Sequence, residues 1–214
     1  MNNPPLVHII IYVNKYSGGF SMNYYIADTH WSHRNILKYD NRPFTSLHDH
    51  DMTLIENWNK VVTNNDDVYI LGDYSWNTHP DIDVDLLNQL NGKKHLILGN
   101  HDKIRSTEER NCFVEIRDYK RIKDGNEVVI LSHYPIAFWD GQFHDSVHLY
   151  GHVHNSHQWH MFEHWMQEGR ELQLLPMRAY NVGCMMEYMN YTPMTLKQII
   201  DGYNEVKKEY NKPV

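Results

Sequence analysis

The chain has 214 residues, with 27 Asp and Glu against 20 Lys and Arg for a net charge of −7, and 2 cysteines. That length buries one sizeable core and is short for two, so a single domain of catalytic size is expected. An acidic balance with no basic run longer than Lys207-Lys208 argues against a large duplex nucleic-acid footprint, while Cys112 and Cys184, without C-x-x-C spacing, exclude a disulfide framework and fit a reducing, cytoplasmic setting.

Residues 1–21 read as an N-terminal extension, an apolar run from Leu6 to Val13 followed by the Gly-rich break Ser17-Gly18-Gly19-Phe20-Ser21. The run is far below the roughly 20 residues of a bilayer span, and no small-residue cleavage site follows a charged segment, so neither a membrane partner nor a signal peptide is expected. An added edge strand is the alternative reading, and the domain proper is expected over 22–214.

Asn23 to Ala27 is a β-rich run ending in Asp28-Thr29-His30. From Leu47 to Thr63 the apolar residues Leu54, Ile55, Trp58 and Val62 recur at three- and four-residue spacing, which predicts an amphipathic helix. Asp67 to Leu71 is the next strand and runs into Gly72-Asp73. Ile82 to Leu90 reads as a helix, closed by Asn91-Gly92 before the apolar strand 94–98 that feeds Gly99-Asn100-His101-Asp102. Taken alone that tetrapeptide is also compatible with a polar turn in which Asn and Asp cap a helix.

The second half is richer in strands. Phe113 to Tyr119 is one predicted strand, and Lys123-Asp124-Gly125-Asn126 is a hairpin turn before Glu127 to Leu131, which ends in Ser132-His133. Val147 to Tyr150 ends in Gly151-His152-Val153-His154, and Arg178 to Val182 is a closing strand. Thr195 and Gln198 form a capping box opening a final helix through Tyr210. The Trp- and Met-rich stretches 159–166 and 185–189 are expected to pack as core or under a loop, a substrate lid being the alternative.

Of 16 histidines, five fall at these strand ends, in D-x-H, G-D, G-N-H-D, S-H and G-H-x-H order. Asp28, His30, Asp73, Asn100, His133, His152 and His154 offer imidazoles, carboxylates and one amide oxygen, a mixture suited to Mn, Fe, Zn, Co or Ni. So many donors exceed one tetrahedral ion and fit two divalent ions roughly 3.5–4 Å apart, with Asp73 as the bridging carboxylate. Two dications, two carboxylates and a bridging hydroxide leave about one positive charge, which attracts a phosphate.

These motifs, spanning Asp28 to His154, resemble those of the calcineurin-like metallophosphoesterases, and the stretch Asp28 to Phe44, with His33, Asn35, Ile36 and Asn41-Arg42-Pro43-Phe44, resembles a small bacterial or phage-type branch. The resemblance implies a four-layer α/β/β/α sandwich of two mixed sheets flanked by helices, with the site at the strand ends. It implies that Asp28, His30, Asp73 and His154 hold the first metal and Asp73, Asn100, His133 and His152 the second. It further implies that His101, not itself a ligand, assists the leaving group while a metal-bridging hydroxide attacks phosphorus in line. No Asp-Arg pair follows Asp73, which departs from the protein Ser/Thr phosphatases of the superfamily. A phosphodiesterase or broad phosphoesterase acting on a small phosphate ester is therefore expected, with His33 and Arg42 as candidate substrate contacts, a surface loop position being the equal alternative for Arg42. The alternatives are a non-catalytic interaction module of the same fold and a nuclease on short or single-stranded nucleic acid.

Overall fold

The structure, a computed structural model, describes residues 21–173 and 175–210, so the predicted N-terminal extension lies outside the described residues up to residue 20. Strands β1 (Asn23–Ile26), β2 (Asp67–Ile70), β3 (Lys93–Ile97) and β4 (Phe113–Arg117) form one sheet in that order. Strands β5 (Tyr119–Asp124), β6 (Glu127–Ser132), β7 (Val147–Tyr150) and β8 (Ala179–Asn181) form the other. The helices are α1 (Ile36–Tyr39), α2 (Leu47–Val61), α3 (Pro80–Gln89), α4 (Thr107–Asn111), α5 (His157–Glu171) and α6 (Leu196–Tyr210).

Two mixed sheets were expected, and only the second is mixed: β5 and β6 run antiparallel through a Gly125-Asn126 turn, and β6, β7 and β8 run parallel. The first sheet is parallel throughout, because each of its strands returns through a helical crossover, α1 and α2, then α3, then α4. The single strand predicted over Phe113–Tyr119 is two strands in different sheets. The chain leaves the first sheet at Arg117 and enters the second at Tyr119, so Asp118 is the hinge between layers.

Alternation along the strands builds the layers. Tyr25, Ala27, Tyr69, Leu71 and Ile97 face Val129, Leu131, Val147 and Leu149 in a core between the sheets. Their neighbours Ile26, Val68, Ile70 and Leu96 point the other way, onto Leu54, Trp58 and Val62 of α2 and its C-cap and onto Leu86 and Leu87 of α3. On the far side Ile130, Tyr150 and Ala179 pack against Met166, Trp159, Phe162 and Trp165 of α5. Helices therefore cover both outer faces, and the expected α/β/β/α layering stands. Helix α6 opens with the predicted capping box, the Thr195 backbone N–H donating to Gln198 Oε1 at 2.9 Å. Its residues Leu196, Ile199 and Tyr203 close the inter-sheet core beside Met186 and Met189, so the second Met-rich stretch is core. Among the described residues no helix is long and apolar enough to cross a membrane.

The outer layer on the first sheet hangs on Trp58, fully buried, its indole N–H donating to Asn91 O at 2.9 Å. Trp58→Ala should cost about 3–5 kcal/mol, read as a lower midpoint of denaturant unfolding at unchanged slope. A loss below about 1 kcal/mol would show that α2 is not anchored there.

Candidate metal centre

Each strand predicted to end in a candidate ligand places that residue in the turn after it, and the turns converge at one end of the two sheets. Asp28 and His30 follow β1, Asp73 follows β2, Asn100 and His101 follow β3, His133 follows β6, and His152 and His154 follow β7. Five of these residues, Asp28, His30, Asp73, His152 and His154, hold a left-handed backbone with φ between 47° and 68°. A non-glycine residue in that region stores roughly 1–3 kcal/mol, which the surrounding hydrogen bonds offset. Asp28 N donates to Gly72 O, His30 N to Asp73 O, and the His152 N–H to both oxygens of Asp28 at 3.0 and 3.1 Å.

The motif glycines are required by close approach. A Cβ on Gly99 would be driven into the Asp73 carboxylate, and one on Gly151 would lie 2.6 Å from both Ala27 Cβ and Asp28 Oδ2. Asp102 does not cap a helix, which disposes of the alternative reading of that turn, since α4 starts later with Ser106 as its cap. Instead its carboxylate accepts the backbone N–H groups of Gly99 at 2.8 Å, Asp73 at 2.9 Å and Tyr74 at 3.0 Å, locking two ligand turns together.

Donor atoms of Asp28, His30 and His154 all lie within 4.8 Å of one another, and so do those of Asp73, His133 and His152. The triads meet at Asp73, whose Oδ2 is 3.9 Å from His30 Nε2 and 3.5 Å from His133 Nε2. Its Oδ1 is tied down by the His101 backbone N–H at 2.9 Å, which leaves Oδ2 directed between the clusters. Asn100 Oδ1 joins the second triad, 3.0 Å from His133 Nε2. All seven predicted ligands are thus brought together. His101 stands beside them, Nε2 3.9 Å from Asp73 Oδ2, with its side chain 40% exposed.

Two observations show that the donors fit divalent cations. His30 Nε2 and His154 Nε2 face each other at 3.3 Å, and His133, donating Nδ1–H to Leu71 O at 2.8 Å, turns Nε2 toward the oxygens Asp73 Oδ2 and Asn100 Oδ1, where a bound cation would take the place of its proton. The charge pattern agrees. Burial opposes a charge on His133 and on His154, yet Asp73 and Asp28 raise the first to about 9, and Asp28 and Asp40 raise the second to about 10. Burial likewise opposes ionisation of Asp73, and His133 with the His101 backbone N–H holds it down at about 2. Burial lowers His30 to about 3, so it is neutral and free to ligate. The carboxylates thus draw cationic partners into a buried site, the place a bound dication takes.

Arg42 is not a substrate contact, and the expectation is corrected. It is 4% exposed and all five donors are spent: Nε and Nη2 on Asp40 Oδ2, Nη2 also on Asp28 O, and Nη1 on Thr29 O and His50 Nε2. What it serves is Asp40, whose other oxygen accepts His154 Nδ1–H at 2.6 Å. The relay from Arg42 through Asp40 to His154 fixes the ring and its tautomer from behind. Sequence reasoning missed Asp40, although it stands two residues before Arg42, and missed Asn181, whose amide donates to His154 O at 2.9 Å. His33, expected as a substrate contact, is buried at 8% exposure, its ring 5.4 Å from His30 and covered by Trp76 stacked on it at 4.2 Å.

A family model described as calcineurin-like phosphoesterase matches residues 24–181, a span holding both triads. An uncharacterized protein of Methanocaldococcus jannaschii is 33% identical over 178 residues, covering 83% of this chain and 88% of that protein. The gene 66 protein of Mycobacterium phage L5 is 36% identical over 84 residues, 38% of this chain and 40% of its own. Among solved structures, a protein of unknown function from Aquifex aeolicus superposes with a TM-score of 0.62 at 24% identity, covering 89% of this chain and 100% of its own, a likeness of fold.

Asp40→Asn keeps an oxygen for Arg42 and removes the charge behind His154. Calorimetric titration of the metal-stripped variant should show divalent-ion affinity reduced about 10–100-fold, with the fold retained by circular dichroism. Unchanged affinity would mean that Asp40 does not support the site.

Proposed function

Because the chain belongs to the calcineurin-like phosphoesterase family, we propose that it is a two-metal phosphohydrolase acting on small phosphodiesters. The observation that carries this reading is the position of Asp73 Oδ2 between His30 Nε2 and His133 Nε2, each in its own His/Asp triad. On this reading Asp28, His30, Asp73 and His154 hold one ion, and Asp73, Asn100, His133 and His152 the other. When bound, the two ions supply Lewis acidity, acidifying a water and neutralising charge on the phosphate.

The protein's own groups do the rest. Asp73, tied to the His101 backbone, fixes the spacing of the two triads, and the Asp40–Arg42 relay holds His154. The water oxygen bonds to phosphorus in line as the bond from phosphorus to the leaving oxygen breaks, and His101, half-exposed at the mouth, delivers a proton to that departing oxygen. With every donor of Arg42 turned inward, that guanidinium adds no charge for a dianionic monoester. A singly charged diester makes the smaller demand. The partner is then a small phosphate ester, the setting is cytoplasmic, and manganese is a suitable ion for this oxygen and imidazole donor set.

The test is hydrolysis of bis-p-nitrophenyl phosphate beside p-nitrophenyl phosphate, on metal-stripped protein titrated with Mn, Zn, Ni and Fe. Diester turnover restored by metal, exceeding monoester turnover and lost by at least about 100-fold in Asp73→Asn, is the expected result. No turnover with any of these ions, although they bind, would contradict it.

A further inference from the structure

Two exposed aromatic rings flank the metal centre, and hydrolysis as derived above gives neither a task. Trp76, three residues past Asp73, is 44% exposed. One face of its indole is covered by the His33 imidazole, 4.2 Å away and within 8° of parallel. The same ring lies 4.6 Å from His101 and 6.4 Å from His30. Tyr134, the residue after His133, is 50% exposed and packs 4.3 Å from His152 and 5.2 Å from His133. Single exposed aromatics are ordinary. This pair is held against the site's own imidazoles, one ring on the His30 and His101 side, the other on the His133 and His152 side.

We propose that Trp76 and Tyr134 are stacking platforms for the bases of a short single-stranded nucleotide diester whose scissile phosphate lies over the two triads. The proposal rests on the phosphodiesterase reading and names its substrate class. Planar bases stack on aromatic side chains whatever their sequence, so two rings on either side of one phosphate position suit a unit of two nucleotides. Charge limits the length: a long strand needs a basic track to neutralise its phosphates, and this chain carries a net charge of −7 with no basic run longer than two residues. Trp76 beside His101 places one base on the leaving-group side. The oxygen that departs is then a nucleoside hydroxyl, which takes its proton from His101 as the water oxygen bonds to phosphorus. His33 acts through Trp76 as a positioning residue, fixing the plane of the half-exposed indole.

The experiment compares two diesters that differ in carrying bases, dithymidine monophosphate and ring-free glycerophosphoglycerol, hydrolysed by the metal-loaded full chain and by Trp76→Ala, Trp76→Phe and Tyr134→Ala. The expected result is a preference for the dinucleotide of about tenfold or more in kcat/KM, carried by KM. Each alanine substitution should reduce that preference by about tenfold, and Trp76→Phe should keep most of it. Equal kcat/KM on the two diesters, or a preference that survives both alanine substitutions, overturns the proposal and leaves phosphodiester hydrolysis standing. Turnover of neither diester overturns it together with the reading on which it rests.

Discussion

The carboxylate of Asp73 is where the two sheets' contributions meet. One oxygen is bound by the His101 backbone N–H, from the turn after β3, and the other lies between His30, from the turn after β1, and His133, from the turn after β6. Three strand ends from two sheets must therefore arrive at one side chain to within hydrogen-bonding tolerance. The inter-sheet core sets that approach, since Leu71, Ile97 and Leu131, one or two residues before the ligand turns, are all buried in it. A shift of one sheet over the other would separate His133 from Asp73. Packing and site geometry are thus one problem rather than two.

The cost of that convergence is visible in the backbone. Five candidate ligand residues adopt left-handed φ values, and Gly99 and Gly151 are needed because carboxylates occupy the space a Cβ would take. Such strain persists only where the surroundings over-determine it. Here Asp102 bridges two turns with three accepted N–H groups, and Asp28 accepts the His152 backbone N–H with both oxygens. Behind them Arg42 cross-links the carbonyls of Asp28 and Thr29 to Asp40. The same groups that offset the strain also orient the imidazoles toward one another within the two triads.

The strands and ligand turns were legible in the sequence because buried strands announce themselves as short apolar runs and the chemistry sits at their ends. The orientation of Arg42 was not legible. A guanidinium in a loop reads the same whether it faces outward or inward, and here backbone carbonyls of Asp28 and Thr29, which carry no residue signature, draw it in. Helix α5 escaped notice because its buried face includes Glu163 and Gly169 among the apolar residues. Glu163 is buried with Tyr203 and Lys207 as partners, and Gly169 makes room for the Met177 side chain. Each breaks an apolar stripe for a tertiary reason. The split at Asp118 was hidden for a similar cause, because β4 and β5 have continuous strand-forming sequence and only packing decides which sheet each joins.

The proposed chemistry requires that two ions, when bound, be held with Asp73 common to both. The most direct measurement loads metal-stripped protein with Mn(II), counts the ions bound and records the electron paramagnetic resonance spectrum. Two ions per chain with an exchange-coupled signal are expected, with loss of the coupling in Asp73→Asn. A single ion per chain, or two with independent signals, would contradict that requirement.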